Sequence, residues 1–308
     1  MAFMRAGIAS MEEAWAKWAD YETGIKKIGF QHTPFFSTIS SVAAKDRSAD
    51  VKNGHMWNYD KVPDGDINNA FIEGADAPKA KSYHGESLKN HYQIVSNTFG
   101  VTGTSKKASY MNGESVEAYQ RKQAVLEHTM TIEKILLSDQ AAVQRDDATA
   151  GKCAGIGQFL TTNNVIEAAG ADLSWKLLRE ILKIGFIKGG SPFTHLMMNT
   201  AQKDKIDDIL FSKTLSNNFA TTRLENNVTI IGQTAYGNNI KLILNPFMDE
   251  NMVLAIKPAD IYKVNWRPME EMPLAHVGDR FEYQLISEFT LRVSTPYSVA
   301  AIKNLKVD

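Results

Sequence analysis

The residues with which this chain could do chemistry are seven histidines (His32, His55, His84, His91, His128, His195 and His276), a single cysteine (Cys153) and several adjacent acidic pairs. No two histidines stand at the i, i+4 spacing that sets two imidazoles on one helix face for zinc, and Cys153 has no second thiol for a disulfide or a thiolate metal site. His195 lies between Thr194 and Leu196 in an apolar run, which reads as a hydrogen-bonded core histidine rather than a general base. The pairs Glu12-Glu13, Asp146-Asp147, Asp207-Asp208 and Glu270-Glu271 cannot act as paired acid and base, because adjacent side chains on a helix or strand point in different directions. They read as solvated surface charge.

Phosphate and nucleophile motifs fare no better. Ala154-Gly155-Ile156-Gly157-Gln158-Phe159 holds a GxG but lacks a third glycine, a preceding apolar strand and a P-loop lysine, and so reads as a turn. No serine sits in a GxSxG elbow. Lys106-Lys107 after Gly103-Thr104-Ser105 is a weak phosphate contact at best, and Asn227-Val228-Thr229 is a glycosylation sequon with no use inside a cell. The sequence therefore offers no catalytic residue, no cofactor site and no metal site.

Composition sets further bounds. The 308 residues, 44% of them hydrophobic, suffice for one large domain or two ordinary ones, and 34 basic residues against 35 acidic ones give a net charge of -1. No global field draws the chain to nucleic acid or a membrane surface. Met1 to Gly7 lacks a secretory signal, and no stretch approaches the roughly 18 apolar residues of a membrane span, so a soluble chain in a reducing cytoplasm is expected.

The elements follow from periodicity. Met11, Ala14, Trp15, Trp18 and Ile25 predict a short amphipathic helix over 10–27, broken by His32-Thr33-Pro34-Phe35-Phe36, whose paired phenylalanines suit an arm that docks elsewhere. From Arg47 to Asn97 turn formers separate short extended pieces. Roughly fifty residues of strand-poor chain is far longer than an ordinary connection, and its rings (Trp57, Tyr59, Phe71, Tyr92) predict that it lies against another surface. Glu114 to Val143 has one apolar stripe and neither proline nor interior glycine, which predicts a helix about 45 Å long. Gly151, Gly155 and Gly157 mark a boundary after it. Ser174 to Lys188 predicts a helix ended by Gly189-Gly190, Thr194 to Met198 a buried strand, and Asn199 or Thr200 the cap of a third helix. Val228 to Ile231, Ile240 to Leu244 and Met252 to Ile256 predict a small sheet, and the alternation from Tyr283 to Val293 a long strand.

Several segments, in order, resemble the major capsid proteins of tailed phages with the Hong Kong 97-type fold. They are Thr33-Pro34-Phe35-Phe36-Ser37, the Asn-Asn-Ala-x-x-Glu-Gly-Ala-Asp-Ala run from Asn68 to Ala77, and Leu88 to Ile94 leading to Val101-Thr102-Gly103-Thr104. Leu136 to Ala142, Gly189-Gly190-Ser191-Pro192 before Leu196 to Asn199, and Glu288 to Val293 complete the set. The resemblance implies an α+β Hong Kong 97-like capsid fold: an N-terminal arm (1–46), an extended loop (47–97), a peripheral domain with a long spine helix (98–152), an axial domain (mostly 153–281) and a return strand with the C-terminus (282–308). It implies a protein that self-assembles through hexamers and pentamers into the icosahedral head shell of a virion, assembled in the host cytoplasm. Partners would be other copies of itself, a portal, separate scaffolding or cement proteins, and packaged double-stranded DNA held non-specifically. Intersubunit contacts are expected at Phe35, Phe36, Trp57, Tyr59, Phe71 and Tyr92. The Thr-Pro-Phe motif begins only about thirty residues in, so scaffolding would be a separate chain, and no motif marks Lys61, Lys79 or Lys81 as a cross-linker. Rival readings are an encapsulin-like nanocompartment with the same fold, an oligomeric α+β enzyme, and a phage decoration or adaptor protein. The Thr-Pro-Phe and Glu-Gly-Ala-Asp segments favour the phage shell.

Overall fold

The long alternating run near the C-terminus organises one half of the molecule. In the computed structural model, which describes residues 32–45, 54–70, 72–74, 76, 79, 81–110, 113–216, 230–234, 236–276 and 278–307, it is strand β11 (Arg280–Val293). β11 sits inside a four-stranded sheet of order β1-β10-β11-β4. β10 (Ile261–Pro273) and β4 (Gln93–Thr102) flank it antiparallel, while β1 (Ser40–Ala43) pairs parallel with β10. The helix expected over 10–27 and the ring of Phe71 lie outside the described residues.

Across this sheet lies the spine helix α3 (Val116–Leu137), preceded by a short helix α2 (Gly103–Lys106). Its start is fixed by Ser115, whose hydroxyl accepts from the Ala118 N–H at 3.2 Å, with Glu117 in the first turn and Lys134 in the last complementing the helix dipole. Residues of β11 meet it two by two against its turns: Leu285 packs with Ala124, Ser287 bonds His128, and Phe289 joins Ile132 and Leu136. Two strand residues advance about 6.6 Å and four helix residues about 6.0 Å, so strand and helix stay in step over three turns. The helix is shorter than the stripe 114–143 predicts. It stops where the Ser138 hydroxyl turns back to the Ile135 carbonyl at 2.7 Å and where Gly155 packs so close that a Cβ would lie 2.1 Å from the Ser138 carbonyl. From there the chain runs extended to an isolated bridge between Val143 and Lys152.

The other half is a six-stranded sheet of order β5-β12-β9-β6-β8-β7, made of β5 (Val165–Glu167), β6 (His195–Met198), β7 (Ile230–Thr234), β8 (Gly237–Leu244), β9 (Val253–Ile256) and β12 (Val299–Lys303). Leu196, Met198, Val253, Ala255, Ala300 and Ile302 face helices α4 (Trp175–Gly189) and α5 (Thr200–Ser216), while Met197, Leu254, Ile256, Val299 and Ala301 face the end of the spine. Both faces are covered, which is why these strands read as continuous apolar runs. α4 begins at Ser174, which accepts from the Leu177 N–H, and ends at Gly190 in the left-handed conformation (φ 66°).

Two strands near the C-terminus alternate between the sheets. β10 lies within 153–281, the stretch expected to be mostly axial, and pairs with β11, while β12, in the C-terminal stretch after the return strand, completes the other sheet. After β9 the chain thus crosses between the sheets twice, into β10 and again into β12, where a single boundary at 281 allows one crossing. Within 47–97, residues 55–59 and 86–90 form a hairpin, β2 (His55–Tyr59) and β3 (Glu86–Asn90), and β4 already begins at Gln93. β10 was hidden because Pro268 and Pro273 argue against a strand. They are tolerated in its far half because, among the described residues, β1 pairs only with Tyr262 to Asn265, and the chain bulges there.

Glycine in a helix interior ordinarily costs about 1 kcal/mol against alanine. Gly185 is an exception, because a Cβ there would lie 2.6 Å from the Phe193 ring. Gly185→Ala is expected to lower stability by roughly 1–3 kcal/mol in denaturant unfolding of the subunit, where propensity alone predicts a gain.

Candidate assembly surface

The N-terminal arm is fastened by a buried carboxylate. Helix α1 (Pro34–Thr38) starts at a proline, and its next two backbone N–H groups have no helical partner. Glu133 of the spine takes both: the Phe35 N–H donates at 2.8 Å and the Phe36 N–H at 2.6 Å. Asn245, just beyond β8, donates to the same carboxylate at 2.7 Å. One fully buried side chain therefore joins the arm, the spine and the six-stranded sheet. Burial holds its pKa above the usual carboxylate range, against the pull of these three donors.

Two further titratable groups lie in the same layer. His128 bridges Asn97 (2.8 Å from Nδ1) and Ser287 (2.7 Å from Nε2), and burial, then the charge of Lys263, lowers its pKa. Lys263 on β10 is buried, its ammonium 4.7 Å from the Phe36 ring centroid and 5.2 Å from that of Phe289. Among the described residues no carboxylate pairs with it. Burial brings its pKa down to about 8.

The base of the long loop is locked by Asn90. Its amide donates to the carbonyls of Leu291 (2.7 Å) and Ala154 (3.2 Å), and its oxygen accepts from the N–H groups of Ala154 (2.7 Å) and His91 (2.8 Å). Trp57 donates its indole N–H to the Val293 carbonyl at 2.8 Å and packs beside His55 and Phe159. The Tyr92 ring lies 5.7 Å from that of Trp266. For three of the six rings, the expectation that a neighbouring subunit supplies their burial is corrected here. Phe35, Trp57 and Tyr92 are 0%, 5% and 2% exposed within the single chain, because the hairpin and arm fold back onto β11 and the spine. Phe36 is half-buried over Lys263. Tyr59 is half-buried and bonded to Glu86, which is the main reason its pKa is pushed up to about 12.

What the loop leaves open is mostly aliphatic. Between β2 and β3, Val62, Ile67 and Ile72 stand in water, Ile67 at 97% exposure, with Tyr83 near the return. Phe186 and Ile187 are open at the end of α4. Sequence reasoning followed the rings and passed over the single aliphatics set among Asp, Asn and Gly. Their position in a segment with no apolar periodicity was the available signal.

Cys153 is fully buried and burial pushes its thiol up to about 12, so it carries no thiolate at neutral pH. His195 is half-buried with Nδ1 2.8 Å from the Thr194 hydroxyl. Among the described residues no group of three His, Cys, Asp or Glu side chains could hold a metal ion, and no helix is long and apolar enough to cross a membrane.

Comparison with known proteins gives a family model described as SU10 major capsid protein, matching residues 8–306. No curated protein matches the chain. Among solved structures, the holo-SrpI encapsulin complex of Synechococcus elongatus PCC 7942 is similar with a TM-score of 0.60 at 9% identity, covering 95% of each chain. A structure of Mycobacterium phage Che8 is similar with a TM-score of 0.58 at 14% identity, over 92% of this chain and 96% of that one. The phage G structure of gp27 major capsid proteins with gp26 decoration proteins has a TM-score of 0.55 at 12% identity and covers all of both chains.

Two outcomes follow from the buried groups. Trp57→Ala should destabilise the isolated subunit by roughly 3–5 kcal/mol in denaturant unfolding, since the ring packs within the chain. Lys263 has its folded pKa lowered, so its charge costs stability below about pH 8, and that cost fades as pH rises toward the unfolded value of 10.5. Lys263→Met should therefore raise the thermal midpoint at pH 7 by the equivalent of about 1–2 kcal/mol, the desolvation relief outweighing the lost ring contacts, and the advantage should shrink by pH 10.

Proposed function

The chain belongs to the SU10 major capsid protein family and forms the head shell of a tailed phage, and on that premise we propose that residues 60–85 are the loop by which one copy lies on the next. It is a structural protein of the virion, non-enzymatic, that assembles with copies of itself. The observation that carries the loop reading is the exposure of Val62, Ile67 and Ile72 together on one segment rooted by Asn90 and Trp57, a group of open aliphatics on a fixed base that a second surface can cover.

In this reading the four-stranded sheet with α3 is the peripheral domain, and the six-stranded sheet with α4 and α5 is the axial domain. The sheets supply the division, with β10 in the first and β12 in the second. Phe36 and Tyr59, half-buried, remain candidates for contact with a neighbour. Phe35, Trp57 and Tyr92 act from beneath, by holding the arm and the hairpin in place.

Shell geometry calls for hexamers and pentamers, with a portal at one vertex and separate scaffolding or decoration proteins as further partners. The similar phage G structure contains gp26 decoration proteins together with its gp27 major capsid proteins. Packaged DNA would meet the inner wall without sequence preference. A net charge of -1 suits a wall that must not grip phosphates. Each subunit contact can be modest, because a copy in a closed shell is held by many at once.

Expression of the chain alone, followed by size-exclusion chromatography and negative-stain microscopy, should give shells or capsomers. A stable monomer would contradict self-assembly by this chain unaided. Replacing residues 62–83 by a short Gly-Ser turn should leave a folded subunit with an unchanged thermal midpoint that no longer closes shells. Wild-type shells from that variant would refute the role given to the loop.

A further inference from the structure

The fold leaves two surfaces largely open, and they complement each other. α4 buries Leu178, Ile181, Leu182 and Gly185 against its sheet. Its opposite side carries Lys176, Arg179 and Lys183 at i, i+3 and i+7, followed one turn later by Phe186, which meets the Tyr236 ring at 6.1 Å on one side yet stays 51% exposed, and by Ile187, 61% exposed. Four basic residues against Glu180 alone give the helix a net charge of 4 − 1 = +3. Lys188 spends its ammonium on the Asn163 carbonyl, but among the described residues no carboxylate pairs with Lys176, Arg179 or Lys183.

The loop has the opposite character. Its first part, residues 60–78, contains Asp60, Asp64, Asp66, Glu73 and Asp76 against Lys61, a net charge of 1 − 5 = −4, and Lys79 and Lys81 bring the whole loop 60–85 to 3 − 5 = −2. Asp60 and Asp66 accept only from N–H groups of their own turns, and Val62, Ile67 and Ile72 alternate with the acids in open solvent. A cationic face ending in two apolar side chains thus has a counterpart in an anionic segment studded with three.

They do not meet within one chain, since the loop side chains are exposed there. A neighbouring copy is within range, because about thirteen residues in each limb of the loop can extend roughly 40 Å from the hairpin. A polyanion such as DNA would satisfy the three cations but not Phe186 and Ile187, which call for an apolar partner.

We propose that the outer face of α4 is the seat for residues 60–78 of a neighbouring copy, with Lys176, Arg179 and Lys183 facing the loop carboxylates and Phe186 and Ile187 facing its aliphatics. This deepens the loop reading given above and rests on it.

The test is charge reversal in the full chain. Lys176→Glu, Arg179→Glu and Lys183→Glu together should cut the yield of closed shells at least tenfold with no change in the subunit's circular dichroism, and adding Asp64→Lys, Asp66→Lys and Glu73→Lys should restore them. Should the triple variant fail to fold, Lys183→Glu with and without Asp66→Lys carries the same comparison. Shells at wild-type yield from the helix reversal, or a loss that the loop reversal does not repair, would overturn the seat. Normal shells that retain less DNA would assign the face to nucleic acid instead. Shells lost on loop excision but not on helix reversal would sink the seat and leave the loop reading standing, while shells that survive excision would sink both.

Discussion

A carboxylate buried without a cation is costly, and the arrangement around Glu133 shows what the cost secures. Its two oxygens take the N–H groups that α1 cannot satisfy internally and the amide of Asn245, so three parts of the chain far apart in sequence end on one side chain. A leucine at this position would pack well and leave two backbone donors of the arm without partners inside the core, each at roughly 1–3 kcal/mol. The arm's position therefore depends on a polar group at one spot along the spine, and β1, which follows four residues later, inherits its register on β10 from that anchor.

The same device recurs wherever two parts of the fold must be held at a fixed offset. Asn90 fixes the hairpin to β11 and to the segment after the spine, and Asn164 accepts from the Thr161 N–H while donating to the Pro296 carbonyl at 2.7 Å, holding β5 against the entry to β12. Glu288, also buried, receives both Arg145 and Arg267 and ties the chain beyond the spine to the bulged part of β10. Apolar packing tolerates sliding by a residue or an exchange of similar shapes. A buried amide with every donor and acceptor used does not, which makes these groups the determinants of position in a core otherwise built of Leu, Ile, Val and Met.

This division explains what was legible in the sequence. The spine helix, α4 with its serine cap and glycine stop, and β11 were readable because each is specified locally by a period, a cap or an alternation. The segments that resemble phage capsid proteins carried the fold class. The exchange of β10 and β12 between sheets was not readable, since pairing partners are chosen by long-range bonds such as those of Asn90 and Asn164, and nothing at either end of such a bond looks unusual alone. The six contact candidates illustrate the limit. A ring in a turn-rich segment demands burial, but the sequence does not say by whom. For Phe35, Trp57 and Tyr92 the answer lies within the chain.

Assembly imposes a conflict that the structure resolves by residue type. A shell subunit must stay folded and soluble before it meets its neighbours, yet must present surface worth burying. Large rings left open would favour indiscriminate association. In this chain the rings of the loop base are turned inward to make it rigid, and the exposed apolar groups of the loop itself are mostly single aliphatics separated by acids, each adding little area and each flanked by a charge that keeps the loop solvated. Such a segment binds weakly to any one surface and discriminates by charge among many. In a closed shell the copies lie at fixed positions, so contacts too weak to hold two free subunits become sufficient together, and a subunit placed wrongly forfeits all of them. Weak, charge-selected contacts on a rigid base are thus suited to a particle that must correct its errors while it grows.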